Sequence, residues 1–267
     1  MVQRLLSAFV ALLIVLPILF LGGTLGVQLL VGAVLLVVLY EFGPVASPNK
    51  PKQAFAAMAP VGGALYALMS WGPHGQPLIA ATVLGVGFLL SWAMFAHEDP
   101  IEGAVAGAIA GVAVPYLALA MAFVGWVRAL EPDGLTWIFY VLIMTWAADT
   151  GAYFAGRFFG KRKLLERISP KKTWEGVWGG VALSVVISLA WMVVYPLMPM
   201  VHAAILGAAL AGCGVVGDLV ESMFKRARGI KDSGGIMPGH GGLFDRVDSL
   251  LFTMPVAWAY ATVFGLT

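Results

Sequence analysis

Charge is what this chain lacks most. Only 11% of its residues are Asp, Glu, Lys or Arg, against about 25% in an average soluble domain. With 60% hydrophobic residues and a mean hydropathy of +0.90, a compact fold in water would expose far too much apolar surface. A bilayer is the natural solvent. Cysteine is almost missing: Cys213 is the only one, so an intrachain disulfide and a Cys-based metal site are both excluded. Its Gly/Ala-rich surroundings make it read as a buried structural thiol. No A-x-A-like cleavage site follows the apolar run behind Arg4, so that run reads as a retained span rather than a signal peptide. Internal repeats and low-complexity tracts are also lacking. The net charge of +2 says little about partners, and nucleic acid is not among those expected.

Hydrophobic runs are what the chain has in abundance. A spanning helix needs about 20 mostly apolar residues. Nine such runs are present, near 4–21, 25–42, 54–71, 78–96, 102–124, 135–156, 176–195, 201–221 and 248–266. The expected fold is therefore all-α, a polytopic integral membrane bundle. Residues 1–124 hold five spans that serve as scaffold and lipid access. Residues 125–267 hold four spans and two long polar connections, and form the catalytic membrane domain.

Lys and Arg set the orientation. With nine spans, 15 of the 16 Lys and Arg fall on one side, leaving only Arg128 opposite. Eight or ten spans would break that partition. The N-terminus is thus expected in the cytoplasm, in a bacterial-type inner membrane. Both long connections, Arg157–Glu175 and Ser222–Asp248, then face the cytoplasm.

Acids within spans are expensive and mark function by default. Asp149 lies in the sixth run; Asp218 and Glu221 close the eighth; Asp245 and Asp248 open the ninth. The last two pairs have i, i+3 spacing, which puts each pair on one helix face. All five sit near one membrane level and can converge on a cation. Hard oxygen ligands without a Cys or His pair favour Mg²⁺ over zinc. Helix capping or pairing with Arg is the plainer reading of any one of them.

The second connection adds six glycines between Gly229 and Gly242. Glycines let backbone N–H groups approach a phosphate closely. Lys225, Arg226, Lys231 and Arg246 surround them with positive charge, and His240 can donate to a phosphate or carry a proton. The first connection offers Ser169, Lys171, Lys172 and Thr173 as phosphate donors, or as anchors to anionic lipid headgroups. Gly156–Lys161 mimics a P-loop, but its spacing is short and Arg162 replaces Ser/Thr. Acids, a glycine nest and fixed cations at a membrane boundary suit metal-dependent phosphate chemistry on a lipid.

Ser222-x-x-Lys225-Arg226-x₄-Lys231-Asp232-x-Gly234, then Pro238-x-His240-Gly241-Gly242-x-x-Asp245-Arg246-x-Asp248, resembles the signature of the phosphatidate cytidylyltransferase (CDP-diacylglycerol synthase) family. Met237 stands where that family carries Leu, Ile or Phe. The Ser169–Gly176 segment and Asp149 also resemble family positions, so the resemblance covers about residues 140–250. It implies that CTP and phosphatidate give CDP-diacylglycerol and diphosphate, with Mg²⁺ required. It further implies a second, monovalent cation such as K⁺, and a homodimer among membrane lipids. Asp218 and Asp245 would hold the divalent ion, supported by Asp149, Glu221 and Asp248. Lys171, Lys172, Lys225, Arg226 and Lys231 would neutralise phosphates. Ser169, Thr173, Ser222, Asp232, Gly241, Gly242 and Arg246 would line the substrates, and His240 the phosphate path.

Two other readings fit less well. A CTP-dependent lipid kinase, or a cytidylyltransferase for another lipid, would differ in product. A cation-coupled transporter would place its acids near the midplane among broken helices and repeats, whereas these crowd one face.

Overall fold

The computed structural model describes residues 2–230, 234 and 241–266. They form an all-α membrane bundle with one small hairpin. The helices are α1 (Val2–Leu21), α2 (Gly23–Ala46), α3 (Pro51–Trp71), α4 (Gln76–Ala96), α5 (Pro100–Arg128) and α6 (Gly134–Phe159). The antiparallel pair β1 (Lys163–Leu165) and β2 (Ser169–Thr173) follows, then α7 (Trp174–Val194), α8 (Met200–Ala227), α9 (Phe244–Val247) and α10 (Leu250–Val263). Among the described residues, seven helices, α2 to α8, are long and apolar enough to cross a bilayer. Their outward faces keep large apolar side chains bare, such as Leu84 and Phe95 on α4. Such a surface is stable only against lipid.

Two compact units emerge. The first combines Met1–Gly125 with Arg228–Arg246; the second combines Trp126–Ala227 with Val247–Thr267. The sequence reading divides the chain at 124/125; the described residues of 228–246 cluster with the first unit. In the first unit, Leu35, Leu39 and Phe42 of α2 are buried, and Gly62 of α3 brings its backbone against Leu39. Gln28 is buried in this apolar setting, and its amide is satisfied by Ser70 O and Trp71 Nε1. A bilayer offers no water to do that work.

In the second unit, α6 and α7 approach through small residues. A Cβ on Gly179 would lie 2.1 Å from the Cβ of Ala155, and one on Gly151 would lie 2.5 Å from Gly179 O. Close backbone approach is how membrane helices gain packing energy without a hydrophobic drive. Hydroxyls tie α7 to α8: Ser184 Oγ donates to Gly207 O at 2.8 Å, and Ser188 Oγ to Ala203 O at 2.7 Å.

The structure departs from the sequence reading in four places. The first connection is not an open loop, because residues 163–173 pair as the β1–β2 hairpin. Glu175 pins it, its carboxylate accepting from the N–H groups of Lys161 and Arg162. The second connection begins later than expected: α8 runs to Ala227 rather than ending near 221, and α9 forms within it. Polar residues such as Lys225 continue a helix well after they leave the apolar slab. The ninth run yields 14 helical residues, 250–263, not 248–266; at 1.5 Å per residue that is about 21 Å, short of the roughly 30 Å hydrocarbon core. Gly265, at φ +60°, ends it. Finally, Cys213 is half-buried rather than buried.

Gly179→Val should force α6 and α7 apart. Overpacking of this kind costs about 1–3 kcal/mol, so the thermal midpoint in detergent should fall by several degrees. An unchanged midpoint would mean that the helices do not meet there.

Candidate active site

Four elements of the second unit bring their polar ends together: the C-terminal turns of α6 and α8, β2, and the turn before α10. Asp218 and Glu221 share a face of α8, as their spacing predicts. Asp248 joins them because α8 has no side chain at Gly217. A Cβ there would lie 2.6 Å from Asp248 O and 3.0 Å from Ser249 Cα. Asp218, Glu221 and Asp248 each offer one carboxylate oxygen, and these atoms all lie within 4.8 Å of one another. Octahedral Mg²⁺ with oxygens at about 2.0–2.1 Å spaces its ligands by about 3–4 Å. The donor set is therefore hard, acidic and close to the spacing that such an ion needs.

Two lysines partly neutralise this group. Lys172 Nζ of β2 lies 2.6 Å from Asp218 Oδ2, and Ser222 Oγ donates to Asp218 Oδ1 at 3.3 Å. Lys225 Nζ lies 2.7 Å from Glu221 Oε1. At 8% and 3% exposure, Lys225 and Glu221 make a buried pair that would be costly to break on one side only. Among the described residues, Asp248 has no such lysine. Burial, then the charge of Asp218, push its carboxyl up to about 7, although the Ser249 N–H favours the ionised form.

Beside the acids lies a cavity of about 420 Å³, within the range of small-molecule sites. Asp149, Tyr153 and Arg157 of α6 line it together with Lys171, Lys172, Thr173 and Asp218. Asp149, Tyr153 and Arg157 recur every four residues and so share one stripe. Arg157 Nη1 donates to Tyr153 OH at 2.9 Å. Sequence reasoning passed over Tyr153 and Arg157 as site residues, although their spacing from Asp149 was the available signal. Thr173 does a structural job as well, capping α7 by accepting from Gly176 N–H at 3.2 Å.

Ser169 starts β2 opposite Leu165 and does not line the cavity. Arg226 is exposed at the end of α8. Gly241, Gly242, Asp245 and Arg246 belong to the first unit. There Gly241 adopts φ +83°, and Gly242 N–H donates to Asp245 Oδ2 at 3.1 Å. Lys231, Asp232 and His240 lie outside the described residues. Sequence reasoning also missed Glu41, a buried acid in α2 whose Oε2 accepts from Phe244 N–H at 2.9 Å.

A polytopic membrane protein with clustered acids beside a cation-lined cavity has the equipment of a nucleotidyl-transferring membrane enzyme. The chain belongs to the cytidylyltransferase family, whose model matches residues 2–264. It is 33% identical over 268 residues to a phosphatidate cytidylyltransferase of Staphylococcus haemolyticus, covering 95% of this chain and 96% of that protein. It is also similar to phosphatidate cytidylyltransferases of Bacillus subtilis, at 41% identity over 57% of this chain and 60% of the relative, and of Haemophilus influenzae, at 46% over 46% and 44%. In these last two the match spans only about half of the relative's length.

The raised carboxyl of Asp248 has a consequence for stability. Between the unfolded value of about 3.9 and about 7, the folded state holds a proton that the unfolded state has released. Stability therefore falls as pH rises through that window and levels off above it. In EDTA, Asp248→Asn should flatten this decline between pH 5 and pH 8, read as thermal midpoints. An equal decline in the variant would assign the effect to another group.

Proposed function

We propose that this protein transfers CMP from CTP to phosphatidate, giving CDP-diacylglycerol and diphosphate. The carrying observation is the group of three carboxylates, Asp218, Glu221 and Asp248, beside a cavity lined by Arg157, Lys171 and Lys172, in a chain matched end to end by a phosphatidate cytidylyltransferase. A phosphate oxygen of phosphatidate attacks the α-phosphorus of CTP, and the bond to the β-phosphate oxygen breaks. The electron pair leaves with diphosphate. No strong base is needed, because a phosphate monoester with a second pKa of about 6 is already ionised at pH 7.

Charge explains the rest. The cavity's three cations face Asp149 and Asp218, a surplus of one, whereas a nucleoside triphosphate brings about four negative charges. A divalent cation removes most of that deficit, which supports Mg²⁺ as the cofactor. Asp218, Glu221 and Asp248 would hold it, and it would neutralise phosphate charge during transfer. Lys172 both pairs with Asp218 and lines the cavity, so it can share its charge with a bound phosphate. Arg157 and Lys171 would orient the triphosphate by charge-assisted bonds. Asp245, a signature residue by resemblance, would also serve the divalent ion, and the same resemblance supports a monovalent cation such as K⁺ and a homodimer. Sedimentation in detergent tests the last. The clustering of Lys and Arg supports an active site facing the cytoplasm, in an inner membrane.

Purified protein supplied with labelled CTP, phosphatidate and Mg²⁺ should yield CDP-diacylglycerol and diphosphate, and EDTA should stop the reaction. Asp218→Asn should lower kcat by at least 100-fold. Formation of CDP and a newly phosphorylated lipid would overturn the proposal in favour of a CTP-dependent lipid kinase. The pair Arg157→Ala, Lys171→Ala should raise KM for CTP by about 10-fold or more, since a hydrogen bond to a charged group is worth about 1.5–3 kcal/mol. An unchanged KM would remove both residues from the nucleotide site.

A further inference from the structure

We propose that Glu41 is a positioning residue for the reaction, holding from α2 the chain segment that leads into Asp248. The proposal rests on the reading of the protein as a cytidylyltransferase acting on phosphatidate. Glu41 is 3% exposed and lies five residues before the end of α2. A buried carboxylate in an apolar helix is costly unless it is bonded, and among the described residues this one has a single side-chain hydrogen bond. Its Oε2 accepts from Phe244 N–H at 2.9 Å, while Oε1 is buried without a hydrogen-bond partner among the described residues. A side chain kept at that cost is performing a task that an apolar residue could not.

The task is visible in what surrounds it. Phe244 opens α9, and Asp248 follows it by four residues. The Phe244 ring meets Phe42 edge-on, with centroids 5.7 Å apart, so α2 grips both the backbone and the side chain of that residue. Gly234 lies against the same carboxylate: a Cβ there would fall 2.7 Å from Oε1 and 2.9 Å from Cγ and Cδ. At the other end of the segment, Arg228 Nε and Nη2 donate to Val45 O and Ala46 O, both at 2.9 Å. The last turns of α2 thus meet this stretch of chain at Arg228, Gly234 and Phe244. Among the described residues, Glu41 supplies the one side-chain acceptor in that clamp. Misplacing a reacting group by about 1 Å can cost on the order of 100-fold in rate.

Hydrogen exchange and turnover test this together on the full-length protein in detergent. Glu41→Ala should speed exchange of the Phe244 amide by at least 10-fold and lower kcat by about 100-fold. KM for CTP should change less than threefold. Glu41→Gln keeps a side-chain oxygen that can accept, and should recover most of both losses. Gly234→Ala should disturb the same contact, and adding it to Glu41→Ala should cause no further loss, since the smaller side chain makes room. Unchanged exchange in Glu41→Ala overturns the proposal, as does a Glu41→Gln protein as impaired as Glu41→Ala. Should Glu41→Ala fail to fold, Glu41→Gln and Gly234→Ala decide, and wild-type kcat in Gly234→Ala overturns the proposal. The exchange measurement reads the clamp without any substrate. If wild-type protein makes no CDP-diacylglycerol while exchange behaves as expected, the functional reading fails and the clamp stands.

Discussion

Negative charge in a hydrocarbon-facing bundle must be neutralised by groups that the fold itself delivers, and this constraint organises the functional half of the molecule. Three carboxylates with oxygens within 4.8 Å of one another repel strongly where water is scarce. Lys172 and Lys225 offset two of the three. The third, Asp248, answers by holding its proton up to about pH 7. Among the described residues, two lysines thus meet two of the acids, and the third sheds its charge by holding a proton.

Small residues make this concentration of charge possible. Lys172 reaches Asp218 from a hairpin anchored at the start of α7, and α7 is held against α6 by the Gly151–Gly179 approach. Asp248 reaches α8 because Gly217 leaves room for its backbone. The glycines that read as packing in the sequence are therefore the means by which side chains from separate helices meet. Packing and chemistry are one feature here, because a membrane protein gains little from hydrophobic attraction between helices and relies on close contact.

Much of the fold was legible in the amino-acid sequence, for a physical reason. The bilayer imposes a length and an apolarity on each span, and both are local properties of a run of residues. The nine runs anticipate α1 to α8 and α10 to within a few residues at most ends. What hydropathy does not mark is where a helix stops once it enters the polar layer. Hence α8 carries Lys225 and Arg226 further along a helix than expected, and the hairpin at 163–173 was invisible because its strands are short and held by Glu175. Of the site, residue types and membrane level were legible, and Asp218 with Glu221 followed from helix spacing alone. Partners from other elements were not: that Lys172 of β2 meets Asp218 of α8 depends on how the hairpin packs against α8, which composition does not encode, whereas Lys225 and Glu221 pair at i,i+4 spacing. Glu41 escaped notice because it stands 203 positions from its partner Phe244, and its own surroundings in sequence look like any other span.

That distance bears on how such a site is maintained. Residues that touch phosphate must be of particular types in particular order, so they gather in a signature that can be read along the chain. Residues that hold the signature in place need only present one acceptor or one ring at the right point, and any helix passing nearby can supply it. The end of α2 does so with Glu41, Phe42 and the carbonyls of Val45 and Ala46. On the proposal made for Glu41, the N-terminal helices act on the chemistry through a few contacts rather than through a motif. A substitution in them that leaves every signature residue untouched can still move the chain that leads to Asp248.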